Sequence, residues 1–332
     1  MPKVLLMTGI FKQKTPGNII LLCILGIFLK LPTFFHGSGL IIKESDGALY
    51  ISTINFLKSF FNAGSLFIAV IAFTLNLIIT AILTSFTNSE RLMVRPNFLA
   101  GMSYLLITSF LPSFNMLSSN LVASVLLLLS FSLLHKSHHT RNNIFNAAFL
   151  VGLASLFFFP SIFFIAWAFL ALAVLRPFRL AEWTSLLLGA TSPYYFYAAY
   201  LFLTNNWHIP NYFYSLSFLE SGFRYSLWHA GALFLLLAPL LAGIYYMQAN
   251  AAKMLPHVRK GWYLFIGYLL ISLVISIFNM DDTPDNIIIA LIPIAAFHGY
   301  GYLNAELRLY PKVAFWITVI FIIVNQLYGG LW

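Results

Sequence analysis

The sequence has 332 residues, of which 61% are hydrophobic and 8% are charged, and its formal net charge is +9. Apolar stretches of about eighteen residues recur along its length, which excludes an ordinary water-soluble domain and predicts a polytopic helical membrane protein. The Lys and Arg residues are scattered singly between these stretches, so the positive charge favours membrane topology and excludes nucleic acid as an expected partner.

The apolar stretches are predicted to cross the membrane as helices. Thr15-Pro16 opens the first one, because a threonine N-cap followed by proline is typical of a helix start. Pro160 splits one long apolar run in two, since proline breaks the interior of a helix. About eleven spans result, and we predict an all-α transmembrane bundle that forms a single integral membrane domain over residues 1–332, without a soluble domain. The predicted spans are residues 17–35, 64–85, 98–114, 117–134, 144–159, 162–176, 183–203, 228–247, 262–279, 287–301 and 313–331.

The charged residues indicate how these spans are oriented. With the N-terminus in the cytoplasm, most of the 18 Lys and Arg residues fall on the inner side, as the positive-inside rule requires. Most of the nine Asp and Glu residues fall on the outer side. The sequence therefore predicts a multi-pass protein of the bacterial inner (cytoplasmic) membrane, surrounded by membrane lipids, with a cytoplasmic N-terminus.

Two of the three predicted outer segments have helical periodicity. In the first, apolar residues recur at helical spacing after Asp46, while polar residues fill another face. The second shows the same pattern, with tryptophan and tyrosine residues suited to the headgroup level. We therefore predict two interfacial amphipathic helices on the outer side. The outer segments are residues 36–62, 204–227 and 280–286, and the apolar face of the first consists of Tyr50, Ile54, Leu57 and Phe61.

Two carboxylates stand at the head of the first outer helix. Asp46 either caps that helix, where backbone N–H groups favour an anion, or takes part in chemistry together with Glu44. Two acids near the membrane surface can hold a divalent cation such as Mg²⁺ or Mn²⁺, or take a proton from an acceptor hydroxyl. Asp46 and Glu44 are therefore the candidate catalytic residues, and Asp46 is also a candidate metal ligand.

The run NMDDTPDN (279–286) places three more acids in a short outer loop. One interpretation is a solvated connection whose shape is set by its proline. The other is that the loop faces the first outer segment and completes an acidic, metal-binding cavity. Under the second interpretation, Asp281, Asp282 and Asp285 are metal ligands beside Asp46.

Four other residues have the chemistry to bind a substrate. Arg224, which shares the second outer segment with His208, is suited to the phosphate of a lipid-linked donor, since guanidinium binds phosphate oxygens in pairs. Lys30, near the outer end of the first span, either snorkels to the headgroups or contributes to the same site. Tyr197 is either an interfacial aromatic residue or a stacking surface for a sugar or prenyl chain.

The layout resembles that of the GT-C-type polyprenyl-phosphate-dependent glycosyltransferases. In that family an acidic residue in the first outer loop, just before an interfacial helix, acts on the acceptor. KESDGALYISTINFLKSFF (43–61) occupies that place, and Asp46 is the matching position. The paired short helices around GLASLFFFPSIFFIAWAFLALAVLRPFR and the late span DNIIIALIPIAAFHGYGY are also similar. The run IFKQKTPGNIILLCILGIFL is similar to an uncharacterised family of Bacteroidota membrane proteins, a domain of unknown function.

The resemblance implies that a sugar is transferred from a polyprenyl-phosphate donor to an acceptor at the periplasmic face. Asp46 would be the general base or a metal ligand in that reaction. The late outer loop supplies only acids where those enzymes commonly bring Arg or Tyr to the carrier phosphate, so Arg224 or Lys30 would take that role. Two alternatives stay open. One is a non-catalytic membrane subunit of a secretion, insertion or envelope-assembly complex, with other membrane proteins as partners, and the other is a lipid or glycolipid transporter.

Overall fold

The computed structural model describes residues 7–36, 43, 46–61, 64–136, 142–205, 226–278, 284–307 and 309–328. These residues form fourteen α-helices and no β-strand, which confirms the all-α prediction. The helices are α1 (Met7–Ile10), α2 (Pro16–Leu29), α3 (Leu31–His36), α4 (Ala48–Phe61), α5 (Ser65–Ser89), α6 (Leu99–Ile107), α7 (Ser119–His135), α8 (Asn142–Phe157), α9 (Phe163–Leu175), α10 (Leu180–Leu203), α11 (Leu227–Asn250), α12 (Pro256–Phe278), α13 (Ile288–Asn304) and α14 (Tyr310–Tyr328).

Every predicted span overlaps at least one of these helices, and the first span, 17–35, overlaps both α2 and α3. Within the described ranges, five helices are long and apolar enough to cross a membrane, namely α5 and α11 to α14. The helices α2, α7, α8 and α9 are apolar but shorter. The chain therefore has the helical, apolar character of a membrane protein, while the number of eleven crossings stays a prediction.

Local sequence signals account for two helix boundaries. Pro16 is the first residue of α2, and Thr15 before it has an extended backbone. Pro160 lies in a short 3₁₀ turn, Phe159–Ile162, which separates α8 from α9. Because proline cannot donate a backbone hydrogen bond and clashes with the preceding turn, it interrupts a helix. Both predictions from proline are confirmed.

The centre of the bundle is formed by α13 and α6. All residues of α6 are buried, and α13 is buried along almost its whole length. The two helices approach closely, because a Cβ atom at Gly299 would lie 2.8 Å from the backbone nitrogen of Ala100. Around this pair, α13 also packs against α7, α11 and α12. Small residues that permit such backbone contact are typical of helix packing in membranes.

The helix α6 is much shorter than the predicted span 98–114. Its nine residues extend about 14 Å, less than half of a hydrocarbon core of about 30 Å. The chain continues from Thr108 through an irregular, largely buried stretch and a 3₁₀ turn, Pro112–Asn115. Irregular backbone at membrane depth needs polar partners from the protein. Asn325 of α14 supplies one, since its side-chain N–H donates to the Phe110 carbonyl at 2.6 Å.

The helix α4 has the predicted amphipathic pattern. Tyr50 and Ile54 are buried and Leu57 is half-buried, whereas Ser52 and Asn55 are exposed. The apolar face packs against α8. The periodicity therefore predicted the helix and its buried face, and its placement at a membrane interface stays a prediction.

The helix termini are gathered at the two opposite ends of the bundle. The Asp46 end contains the start of α4, the first residue of α7 and the break after α8. At the other end, the ring of His135, the last residue of α7, lies 3.1 Å from the carboxylate of Glu90. There Trp262, near the start of α12, also donates to the Leu92 carbonyl at 3.1 Å. The helices α7 and α12 therefore run the full height of the bundle.

Candidate functional site

The residues just before α4 attach its start to the end of α8. We call the described residues Lys43, Asp46 and Gly47 the strap. Asp46 forms an antiparallel bridge with Phe158, and the Gly47 N–H donates to the Phe157 carbonyl at 2.7 Å. The last carbonyls of a helix have no partner within it, so the break after α8 leaves acceptors that the strap can use.

Asp46 is bound to α7 and does not cap α4. Its Oδ1 atom accepts a hydrogen bond from the hydroxyl of Ser119, the first residue of α7. Its Oδ2 atom accepts from the Lys43 backbone N–H at 2.8 Å. The carbonyl that accepts the first hydrogen bonds of α4, from Tyr50 and Ile51, belongs to Gly47. The carboxylate therefore lies at the N-terminus of α7, where the helix dipole favours an anion.

The environment of Asp46 favours its protonated form more than water does. Burial raises the pKa of the Asp46 carboxyl, and the negative charge of Asp285 adds to this effect. The hydrogen bonds from Ser119 and the Lys43 backbone act in the opposite direction, as does the Lys43 charge, but burial is the largest cause. A carboxyl group with a raised pKa is a better proton acceptor once it is ionised.

Lys43 links the first acidic segment to the last one. Its ammonium forms an ion pair with Asp285, 242 positions later in the sequence, and Asp285 is only 2% exposed. Burial raises the pKa of the Tyr50 hydroxyl, and the negative charges of Asp46 and Asp285 add to this effect. The prediction that the loop around Asp285 faces the first outer segment therefore agrees with the position of Asp285.

Two buried asparagine side chains, Asn120 and Asn286, lie next to Asp285. The Asn120 side-chain N–H group points at Asn286, with 3.1 Å between its nitrogen and Oδ1, and at the Asp285 carbonyl, at 3.4 Å. Ser276, near the end of α12, donates to the Asn286 carbonyl at 2.9 Å. The start of α7, the end of α12 and the start of α13 therefore share one polar cluster.

Lys30 lies at the break between α2 and α3 and is 1% exposed. Its ammonium donates to Thr108 Oγ1 at 3.0 Å and to Asn115 Oδ1. These partners belong to the irregular stretch that follows α6, and the turn containing Asn115 packs against the turn containing Asp285. Lys30 therefore stabilises the irregular stretch after α6, which packs against the turn that contains Asp285. Its predicted role in substrate binding stays a prediction.

Replacing Lys30 with Met is expected to destabilise the chain by about 1–3 kcal/mol, because the buried Asn115 oxygen loses its donor. Adding Asn115→Leu should recover most of the loss, since removing both partners leaves no orphaned oxygen. Thermal unfolding of Lys30→Met, Asn115→Leu and the double variant in detergent measures the three values. A double variant that loses the sum of the two single effects would contradict the contact.

Tyr197 lies on α10, three positions after Tyr194, and is half-buried. The Tyr194 hydroxyl is 2.6 Å from Ser155 Oγ on α8, three residues before the Phe158 that pairs with Asp46. Tyr197 is therefore at the Asp46 end of α10. The predicted site residues Glu44, Arg224, His208, Asp281 and Asp282 lie outside the described residues, as does nearly all of the second interfacial helix.

Sequence reasoning singled out Asp46 and Asp285 but missed the residues between them. Lys43, Ser119, Asn120 and Asn286 had no assigned role. The run SSN at 118–120 is typical of a helix start, so it could have located the N-terminus of α7. Nothing in the local sequence indicates that this helix start would face Asp46.

The predicted Mg²⁺ or Mn²⁺ site would need a change in this arrangement. The cation that neutralises Asp285 is the Lys43 ammonium. A metal ion bound by Asp46 and Asp285 would have to displace it. Across the described ranges, no three His, Cys, Asp or Glu side chains lie together. The metal ligands stay a prediction, and the chemistry proposed below assigns no step to a metal.

A comparison with known proteins found no match among protein-family models, curated proteins or solved structures. The function proposed for the chain therefore rests on its own residues, on their geometry and, for the donor and the reaction, on what the resemblance of the layout implies.

Proposed function

We propose that the chain is a membrane transferase that moves a sugar from a polyprenyl-phosphate donor to a hydroxyl group at the outer face. Asp46 is the general base in this proposal. One observation carries it: a half-buried carboxylate, held at a helix N-terminus, accepts a hydrogen bond from an alcohol, the Ser119 hydroxyl. An acceptor hydroxyl that took the place of the Ser119 hydroxyl would donate its hydrogen bond to Asp46.

The reaction requires one proton transfer and one substitution. Asp46 takes the proton of the acceptor hydroxyl as the acceptor oxygen attacks the anomeric carbon of the sugar. A bond forms between that oxygen and that carbon, and the bond from the carbon to the donor phosphate oxygen breaks. The polyprenyl phosphate leaves with the bonding electrons. Asp285, paired with Lys43, keeps the strap in place during this exchange.

The remaining assignments come from the sequence. The positive-inside pattern places the Asp46 end outside the cytoplasm, in the bacterial inner membrane, with the N-terminus inside. Arg224 binds the donor phosphate, and His208 also takes part in substrate binding. Lys30 stabilises the backbone near the site. Tyr197, at the same end of α10, stacks on the sugar or on the prenyl chain. The donor and the surrounding lipids are the expected partners.

Asp46→Asn is the test of this function. The amide has the shape of the carboxylate but cannot take a proton, so transfer is expected to fall about 100-fold while the chain still folds. Transfer of a radiolabelled sugar from its polyprenyl-phosphate donor is measured in membranes that contain the full chain. In the wild type, activity should fall as the pH drops through the raised pKa of Asp46, at a pH above the usual Asp value of about 3.9.

Ser52→Ala is the matched control, because Ser52 lies on the exposed face of α4 and leaves the strap untouched. It should transfer sugar at the wild-type rate. If Asp46→Asn is as active as the wild type, Asp46 is not the base. If neither protein transfers sugar but both are captured with the same set of membrane proteins, the chain is a non-catalytic subunit.

A further inference from the structure

Helices α11 and α14 contact each other near the end of α14 and leave a cavity between them near its start. The rings of Trp228 on α11 and Phe321 on α14 have their centroids 6.1 Å apart. Toward the start of α14, the two helices border a cavity of about 780 Å³. This volume lies within the range of about 300–1,000 Å³ that is typical of sites for small molecules.

The cavity is lined mostly by apolar side chains. Phe234 and Ala238 of α11 and Val313 and Ile317 of α14 belong to this lining, and all four are exposed. Both helices are long and apolar enough to cross a membrane, and on that placement the four side chains face hydrocarbon. An apolar cavity that opens to hydrocarbon gains dispersion contacts when a chain fills it.

The size of the cavity favours a flexible chain over a neighbouring helix. A helix with its side chains is about 10–12 Å across, so a volume of 780 Å³ would hold less than about 10 Å of its length. That length is less than about two turns, which is a short contact for a pair of helices. A hydrocarbon chain is thinner and can bend to follow the cavity.

Glu306 gives one end of the cavity a negative charge. It belongs to the connection between α13 and α14, it lines the cavity and it is exposed. Because α13 begins beside Asp285, this connection lies at the end of the bundle away from Asp46. Lys312 does not line the cavity, and Arg308 lies outside the described residues. The carboxylate attracts an ammonium group and repels a headgroup whose only charge is negative.

We propose that the cavity between α11 and α14 binds one molecule of a phospholipid with an ammonium headgroup, phosphatidylethanolamine. An acyl chain fills the space between Ala238 and Val313, and the ammonium lies beside Glu306. The site is at the opposite end of the bundle from Asp46, so it does not depend on the proposed transferase function. The bound lipid occupies the place where the central helix α13 connects to α14.

Native mass spectrometry of the full chain in detergent tests the headgroup. The chain is titrated with dioleoyl phosphatidylethanolamine or with dioleoyl phosphatidylglycerol, which share their acyl chains, while only the first carries an ammonium group. The wild-type chain is expected to bind the first lipid about fivefold more tightly than the second. In Glu306→Gln this preference should fall to about one, because the amide carries no charge.

Ala238→Trp tests the cavity, because the larger side chain would occupy the space of the acyl chain. This variant is expected to bind both lipids at least about tenfold more weakly than the wild type does. Leu233→Trp is the matched control, since Leu233 is exposed on the same helix but does not line the cavity. It should bind both lipids as the wild type does.

Photo-cross-linking of the wild-type chain supplies a measurement that does not depend on how the variants fold. A phosphatidylethanolamine with a diazirine group in its acyl chain is expected to label residues 234–239 and 309–318 several-fold more than the other exposed apolar helices. Uniform labelling of all these helices would show that the lipid has no preferred site and would overturn the proposal.

The titrations have three further outcomes that contradict the site. Equal binding of the two lipids by the wild type would reject the ammonium headgroup. Unchanged binding in Ala238→Trp would place the lipid elsewhere on the bundle. A wild-type dimer that becomes a monomer in Ala238→Trp would show that a second copy of the chain, and not a lipid, occupies the cavity.

Discussion

Gly47→Ala is expected to destabilise the chain and to remove the proposed activity together. A Cβ atom at position 47 would lie 2.0 Å from the carbonyl oxygen of Leu156 and 2.9 Å from the carbonyl carbon of Phe157. Both are backbone atoms that cannot turn aside, so the strap must move away from α8. Its hydrogen bond to Phe157 and the contact between Asp46 and Ser119 are then lost. We expect a loss of about 3 kcal/mol or more, seen as a lower thermal midpoint in detergent.

Gly17→Ala is the matched control for this substitution. A Cβ atom at Gly17 would meet nothing within 4 Å, and the residue lies in the first turn of α2. Alanine is the better helix former by about 1 kcal/mol, so this variant should be as stable as the wild type or slightly more stable. If Gly47→Ala unfolds at the wild-type temperature, the strap does not make the close contact described for it.

Gly243→Ala is expected to separate α11 from the central helix α13. A Cβ atom at Gly243 of α11 would lie 2.1 Å from the Phe297 carbonyl oxygen of α13, and Gly301 approaches the same point. The helices would have to move apart along a contact that is close from backbone to backbone. We expect a loss of about 3 kcal/mol, since overpacking of a tight contact costs this order of energy.

Gly231→Ala, on the same helix, separates this effect from a general intolerance of α11. The nearest atom to a Cβ at Gly231 is at the edge of the Phe321 ring, 2.7 Å away, and a ring can rotate. The expected change is therefore within about 1 kcal/mol. Thermal unfolding of the two variants measures both changes in stability. An equal loss of stability in the two variants would contradict the backbone contact at Gly243.

Features that depend on neighbouring residues could be predicted from the sequence. The start of α2 at Pro16, the break at Pro160 and the buried face of α4 with Tyr50 and Ile54 all follow from local chemistry. The length of α6 could not be predicted. The segment 98–114 is apolar enough for a longer helix, but Lys30 and Asn325 supply the partners that allow the chain to leave the helix after Ile107.

The same distinction between local features and contacts of distant segments applies to the candidate site. Topology placed Asp46 and Asp285 on one side of the membrane, because the sign of the charges alternates from loop to loop. The pairing of Lys43 with Asp285, and of Asp46 with Ser119, joins segments that are far apart in the sequence. Contacts between distant segments produce no periodic pattern in the sequence. The acids could therefore be selected from the sequence, whereas their partners could not.

The position of Asp285 has a consequence for how the protein is made. Asp46 and its partner Ser119 are both present once the start of α7 has been synthesised, but Lys43 waits for Asp285, which is synthesised 242 positions after it. A chain that stops within α12 would carry the strap without its second anchor. The acidic cluster is thus completed only when α13 takes its central place, so an unfinished chain holds the carboxylate without its full surroundings.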